Sequence, residues 1–303
     1  MSSNNISVSN DKKGSAYVLL SGLLYGLIGY FGVSITQHNL SINNMLFWRF
    51  LIACFAILVI ILIRKNSYKI NYSHMLKSFI YGALFYSGGA AIYFYAAKYI
   101  GTGLSMTIFF IYPTIIILFN WLKTKQKLNK IYCIAIIFSL IGMLLLIDRN
   151  KFTFDLYGII LAIISAISYA IYIICSKQQL ETLPPLISTL MVSLGSCALF
   201  FIISLIEEGQ FIIPSSTAWP YIIGMGIICT ALPILLLLEG LKYISSEKTA
   251  ILSVLEPVAV VIFGILLLNE KISFLQTIGV VVMLSSAVIV QFDKLRTKEK
   301  TTP

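Results

Sequence analysis

Residues 249–268 read TAILSVLEPVAVVIFGILLL, a run of twenty residues in which Glu256 is the single charged side chain. An α-helix rises about 1.5 Å per residue, so about twenty apolar residues cross the hydrocarbon core of a membrane. Residues 103–122, GLSMTIFFIYPTIIILFNWL, form a second run of this kind. Its segment Ile115–Phe119 is apolar on every side, whereas a strand of a membrane barrel would alternate polar and apolar residues. Both runs therefore predict membrane-spanning helices.

The composition of the whole chain agrees with a membrane protein. Of the 303 residues, 58% are hydrophobic and only 11% are charged, against about 25% charged residues in a soluble domain. So few charges cannot cover a globule in water. The apolar runs predict ten spans, at residues 16–36, 44–63, 78–97, 103–122, 131–147, 157–176, 186–206, 218–238, 249–268 and 276–292.

The positive charges follow this topology. The net charge is +10. In the predicted topology, seventeen Lys and Arg residues lie on the same side of the membrane as the N-terminus, and four lie on the opposite side. Such a bias places the richer side in the cytoplasm. We therefore expect a cytoplasmic N-terminal tail at 1–15 and a basic cytoplasmic tail at 293–303, close to anionic lipid headgroups. A nucleic-acid partner is not expected.

An internal repeat relates the two halves at one offset of 144 residues, without a gap. The tripeptide Lys-Tyr-Ile occurs at 98–100 and again at 242–244, and Pro113 falls on Pro257. The same offset also pairs Gly14 with Gly158, Tyr25 with Tyr169, and Gly82 with Gly226. The sequence therefore predicts two five-helix repeats, 16–147 and 157–292. Because five is odd, the repeats are inverted relative to each other, as in many secondary transporters.

Small residues inside the spans indicate close packing. Gly22 and Gly26 have the G-x-x-x-G spacing that lets two helices approach closely. The cysteines also fall within spans and lack metal-type spacing: Cys54, Cys133, Cys175, Cys197 and Cys229. The chain contains no G-x-x-x-x-G-K-[ST], H-E-x-x-H or G-x-S-x-G motif. We therefore predict no catalytic residue, metal or cofactor.

Helix breaks at corresponding positions of two repeats are the best pointer to a transport site. Pro113 and Pro257 lie near the middle of their spans, and each interrupts the helical hydrogen bonds before it. Tyr112 and Glu256 precede them. A charge at mid-membrane is costly, by about 2.5–3.5 kcal/mol or more. Glu256 is therefore either a proton-carrying or amine-binding group, or a protonated acid that hydrogen-bonds a carbonyl freed by the kink.

Other candidates for substrate binding are polar or aromatic residues inside the spans. Arg49, next to Trp48, has two interpretations: it snorkels to the interface, or it holds a substrate carboxylate. Tyr25, Tyr169 and Tyr93 offer both a ring face and a hydroxyl to a wet pore. Substrate is expected between helices that include one, three, four, six, eight and nine.

Three segments of the sequence resemble the EamA-type carriers of the drug/metabolite transporter superfamily. Residues 250–273, AILSVLEPVAVVIFGILLLNEKIS, are similar to the signature region of the family in the Leu-Glu-Pro at 255–257 and the Asn-Glu at 269–270. Phe47-Trp48-Arg49-Phe50 resembles the second-helix motif, and Ile111-Tyr112-Pro113 the fourth. One departure is Gln126, which stands where an acidic residue is expected.

The resemblance implies a secondary transporter of small organic solutes in the bacterial inner membrane, driven by an ion or solute gradient and often exporting its cargo. One Glu and one Arg within the spans favour an amino-acid-like solute, because phosphorylated cargo generally needs several basic residues. Expected partners are this solute, membrane lipids and, as candidate coupling ion, the proton; the chain is expected as a monomer or weak homodimer. The alternatives are a membrane enzyme, a scaffold without transport, and a facilitator or channel.

Overall fold

The computed structural model describes residues 2–36, 38, 40–64, 71–125, 129–147, 155–209 and 212–291. Within these residues the fold is α-helical, with two π-helical segments and no strand. The helices are α1 (Ser2–Gly26), α2 (Ile28–Thr36), α3 (Ile42–Arg64), α4 (Tyr72–Tyr81), α5 (Gly88–Phe109), α6 (Tyr112–Thr124), α7 (Lys130–Leu146), α8 (Leu156–Gln179), α9 (Pro185–Glu208), α10 (Trp219–Gly226), α11 (Leu232–Tyr243), α12 (Ser246–Leu252), α13 (Leu255–Leu268) and α14 (Phe274–Gln291). The predicted basic tail and Gln126 lie outside the described residues.

Part of the predicted set of spans is confirmed by length and composition. In the described chain, six stretches could cross a membrane: Asn10–Ile35, Ile42–Arg64, Leu156–Gln179, Pro185–Glu207, Trp219–Tyr243 and Ser246–Leu268. A seventh is the pair Tyr72–Phe109 and Tyr112–Thr124, bent by 41°, if the pair is taken as one span. Two shorter apolar helices, α7 and α14, cover the predicted fifth and tenth spans. The described structure thus supports an all-α membrane fold, with six or seven clear spans.

Two boundaries differ from the sequence-based prediction. Helix α1 begins at Ser2, so most of the predicted tail is helical, and the first span continues through Leu27 into α2. The third and fourth predicted spans are joined within α5, where Gly101 interrupts the helix with φ 75° and ψ 159°. A positive φ is accessible to glycine at little cost. The chain can therefore kink at Gly101 without a loop.

The structure repeats itself at the offset found in the sequence. The π-helical segments span Gly82–Ser87 and Ile227–Ala231 and therefore interrupt corresponding helices. Helices α6 and α13 both end in a left-handed residue, at Lys125 (φ 53°) and Asn269 (φ 55°), which lie 144 residues apart. The left-handed conformation recurs at this offset although the paired residues differ, Asn being favoured in it and Lys not. The halves therefore share their local backbone structure.

Contacts between the halves are reciprocal. The Ser21 hydroxyl donates to the Pro233 carbonyl at 2.8 Å, and Ser165, its counterpart, donates to the Gly89 carbonyl at 2.7 Å. Each bond joins one repeat to the other: the first has its donor in the first repeat, and the second has its donor in the second repeat. Gly14 follows the same rule: a Cβ built there would lie 2.8 Å from the Tyr243 Cβ, as one built at its counterpart Gly158 would from the Tyr99 Cβ. The two repeats therefore pack about a local two-fold relation.

Candidate functional site

Both helix breaks lie immediately before the predicted prolines. Helix α5 ends at Phe109 and α6 begins at Tyr112, while α12 ends at Leu252 and α13 begins at Leu255. Proline lacks an N–H and is tolerated in the first turn of a helix, where that donor has no intrahelical partner. Pro113 and Pro257 occupy that turn. The residues around the breaks are thereby brought towards one interior region.

That region is a cavity of about 480 Å³. Its volume falls within the range of about 300–1,000 Å³ typical of small-molecule sites. Two charged residues, several aromatic rings and small or aliphatic side chains surround it: Arg49, Glu256, Tyr25, Tyr86, Tyr93, Tyr169, Phe50, Phe94, Phe109, Phe110, Ile28, Gly29, Val33, Leu46, Ala90, Thr102, Gly103, Met106 and Val260. The cavity runs from mid-helix towards the helix ends near Val33 and Thr102. Both repeats contribute to its wall.

Glu256 is the acidic residue of this cavity. In the described part of the chain, neither a hydrogen bond nor an ion pair engages its side-chain carboxyl. Its backbone N–H, not its side chain, donates to the Ser253 carbonyl in the turn before α13, at 3.0 Å. No group of three or more potential metal ligands occurs among the described residues. A carboxyl without a protein partner needs water, a proton or a ligand at this depth.

Arg49 is the basic residue of the cavity, and the structure does not show it snorkelling. Its side chain is directed inwards and only 7% of the residue is exposed. The guanidinium Nε donates to the Thr230 hydroxyl at 2.5 Å, and a second nitrogen donates to the Cys229 carbonyl at 3.2 Å. Arg49 and Glu256 line the same cavity, yet in the described structure the two form no ion pair. Both charges are thus available to the cavity.

The predicted tyrosines Tyr25, Tyr93 and Tyr169 line the cavity. The Tyr25 and Tyr86 hydroxyls form a hydrogen bond of 3.0 Å. Tyr169 packs edge-on against Tyr112, with ring centroids 4.8 Å apart, and lies 5.2 Å from the Phe109 ring. Aromatic faces attract cations as well as apolar groups. The wall therefore suits a ligand with an amine and an apolar body.

Two predicted residues do not line the cavity. Tyr112 is buried behind Tyr169, with its hydroxyl 3.5 Å from the Ala250 carbonyl. Trp48 points towards the helix ends near Ile212, where its indole N–H donates to the Ile212 carbonyl at 3.0 Å and its ring packs on Trp219. Trp48 and Arg49 are neighbours in the motif, but a helix turns about 100° per residue, so their side chains face different surroundings.

The helices around the cavity also differ from those expected. The predicted second span lines it through Arg49, whereas α10 and α11, the predicted eighth span, contribute no lining residue among those described. The predicted binding residues include neither Tyr86, although it is one of the many tyrosines inside the spans, nor Thr230, its counterpart at the 144-residue offset. The sequence carries no signal for this pair, because the two residues differ and the π segments that align them are visible only in the structure.

Polar contacts close the structure at the helix ends opposite the cavity. The Lys177 ammonium donates to the carbonyls of Leu241 (2.5 Å) and Ile244 (2.8 Å). The buried Lys248 ammonium forms an ion pair with Asp11 at 2.8 Å. Ser78 and Gln179 form a further buried hydrogen bond on this side, and Asn120 donates to Ser246 at 3.1 Å. The cavity is therefore closed at one end by bonds between the repeats and within them.

Comparison with known proteins agrees with this architecture. The profile of the EamA-like transporter family matches residues 12–148 and 156–292, one match to each half. The chain is 24% identical over 287 residues to a Bacillus subtilis protein named as the uncharacterized transporter YxxF, covering 91% of this chain and 89% of the relative. It is 31% identical over 159 residues to an uncharacterized transporter of Archaeoglobus fulgidus; that match spans 52% of this chain and 55% of the relative.

A solved crystal structure has the same fold. It superposes with a TM-score of 0.81 at 16% identity, covering 96% of this chain and 99% of the other. The likeness concerns the fold alone, whereas the family profile accounts for both halves of the sequence. The chain, a multi-pass membrane transporter, therefore belongs to the EamA-like transporter family.

Proposed function

We propose that this protein is a secondary transporter of small amino-acid-like solutes that works by alternating access. One observation carries the proposal: Glu256 and Arg49 line the same cavity between the repeats, and neither is neutralised by a described protein side chain. An amino acid carries one ammonium and one carboxylate group. The ammonium would bind at Glu256 and the carboxylate at Arg49, because charge-assisted hydrogen bonds are about twice as strong as neutral ones.

The proposed topology has ten spans in two inverted repeats. The kink at Gly101 would separate the third span from the fourth, and the short helices α7 and α14 would be the fifth and tenth. With the lysine-rich side in the cytoplasm of a bacterial inner membrane, both termini are cytoplasmic. The cavity then faces outwards, and the contacts of Lys177 and Lys248 close the inner side. Exchange of the two repeats' conformations would open the inner side instead.

Protons are the proposed coupling ion, since Glu256 is the acidic residue that lines the cavity in the described structure. Such a carboxyl can carry a proton in one orientation and an amine in the other. Export is the direction that the resemblance to the family implies. A facilitator, which moves the solute down its own gradient, can be distinguished from a proton-coupled carrier by one measurement. Its flux would not depend on the pH gradient.

The test is uptake of a labelled amino-acid mixture into proteoliposomes, with and without a pH gradient. Saturable flux that follows the gradient and disappears in Glu256→Gln is expected. Glu239→Gln is the matched control, since Glu239 lies in α11 outside the cavity and should leave flux unchanged. Flux that survives in Glu256→Gln would leave a facilitator with a structural glutamate. Absence of flux for all amino acids in the wild type would overturn the proposed cargo.

A further inference from the structure

The second π-helical segment places Thr230 directly against Arg49. The Thr230 hydroxyl donates to the Met225 carbonyl at 2.9 Å and accepts from the Arg49 Nε at 2.5 Å. A hydroxyl carries one hydrogen, so donation to Met225 leaves its lone pairs for the guanidinium. Thr230 is fully buried. The direction of the Arg49 side chain is therefore determined by the backbone of the π segment.

The Arg49 guanidinium is oriented by protein hydrogen bonds, but no described carboxylate pairs with its positive charge. A guanidinium has five N–H groups, and in the described structure its protein acceptors are the neutral oxygens of Thr230 and Cys229. No described carboxylate forms an ion pair with Arg49. The remaining N–H groups belong to a side chain that lines the cavity. Two neutral acceptors thus orient the fork while its positive charge stays available for an anion.

Close helix approach makes this contact possible. A Cβ built at Gly226, next to the π segment, would lie 2.6 Å from the Ile52 Cβ and 3.0 Å from the Arg49 carbonyl oxygen. These distances are shorter than ordinary carbon contacts of about 3.5–4.0 Å. Only a glycine lets α10 approach α3 this closely. The distance from Thr230 to Arg49 depends on this approach.

The two repeats use the π segments differently. Tyr86, the counterpart of Thr230, lines the cavity and bonds the Tyr25 hydroxyl. Thr230 lies behind the cavity wall and acts on it through Arg49. The local backbone is shared, whereas the side chain differs. The π segment of the first repeat thus supplies a lining side chain, whereas that of the second repeat supplies an acceptor for Arg49.

Resting on the function proposed above, we propose that Thr230 is a positioning residue that directs Arg49 towards a solute carboxylate and so makes the transporter prefer carboxylates to uncharged analogues. Without the hydroxyl, the Nε loses its acceptor and the guanidinium can turn away from the cavity. The positive charge of Arg49 would remain, but the orientation of its guanidinium would limit carboxylate binding. The preference for an acid over its neutral amide measures this effect directly.

The experiment measures thermal stabilisation of the purified protein by each of the twenty amino acids and by the corresponding amino-acid amides. Binding to the folded state raises the unfolding temperature with ligand concentration, so each probe yields an apparent affinity. The wild type should bind acids at least about tenfold more tightly than amides, the value of a hydrogen bond to a charged group. Thr230→Val should abolish that preference, and Thr230→Ser, which retains the hydroxyl, should keep it.

The ratio of acid to amide affinity distinguishes a positioning role from a general effect on stability. A general loss of stability would weaken the binding of acids and amides equally, and the ratio would not change. Should Thr230→Val fail to fold, Thr230→Ala provides the same comparison with a smaller side chain. An unchanged ratio in the folded variant overturns the role of Thr230 alone. Equal binding of acid and amide by the wild type overturns both this role and the carboxylate contact proposed for Arg49. Binding of no probe by the wild type overturns the proposed cargo and this inference together.

Discussion

Replacement of Gly26 by alanine tests how closely α1 must approach α13. A Cβ at position 26 would lie 2.3 Å from the Ala259 Cβ and 2.8 Å from the Ala259 carbonyl carbon. Carbon atoms in contact prefer about 3.5–4.0 Å, so the helices must separate locally by about 1.2 Å or more. Overpacking of this kind costs about 1–3 kcal/mol. We therefore expect Gly26→Ala to unfold at a clearly lower temperature than the wild type.

The same change should impair transport, because α13 carries Glu256 less than one helical turn before Ala259. Gly22 also packs here, as a Cβ at that position would lie 3.3 Å from the Glu256 backbone nitrogen. Separation of the helices therefore displaces the carboxyl relative to Arg49. Thermal unfolding in detergent and flux in proteoliposomes measure the two effects separately.

Gly32→Ala is the matched control, since a Cβ at Gly32 of α2 meets nothing within 4 Å. This variant should be as stable as the wild type or slightly more stable, because alanine favours a helix. Combining Gly26→Ala with Ala259→Gly should recover part of the loss, as only backbone contacts remain short. An unfolding temperature of Gly26→Ala equal to that of the wild type, or an equal loss in Gly32→Ala, would refute the reasoning.

Further variants test contacts of the second repeat with the N-terminal segment and with the first repeat. Lys248→Met should destabilise the protein by up to about 3–5 kcal/mol, because it breaks a buried ion pair with Asp11 by removing one partner; adding Asp11→Leu should restore part of the unfolding temperature, and failure of that rescue would contradict the assignment. Ser21→Ala and Ser165→Ala should each cost about 1 kcal/mol, the value of one hydrogen bond. Since the two bonds are equivalent, clearly unequal unfolding temperatures would contradict the local two-fold relation.

Much of the architecture follows from the sequence because it depends on local rules. Apolar length predicts helices. Proline disrupts a helix interior but is tolerated in a first turn, so Pro113 and Pro257 mark the breaks that the structure contains. The spacing of Gly22 and Gly26 predicts a close helix contact, which is confirmed against α13. Glu256 could be singled out because a charge is expensive at mid-membrane, whatever its neighbours.

What only the tertiary structure decided is which side chains share the cavity. Trp48 and Arg49 are adjacent in sequence but diverge in space, and Tyr112 is covered by Tyr169. The acceptor for Arg49 is Thr230, 181 residues away. That contact depends on a π turn and on the close approach of two helices. Residue identity does not encode such a contact, because its energy arises only when distant segments pack together.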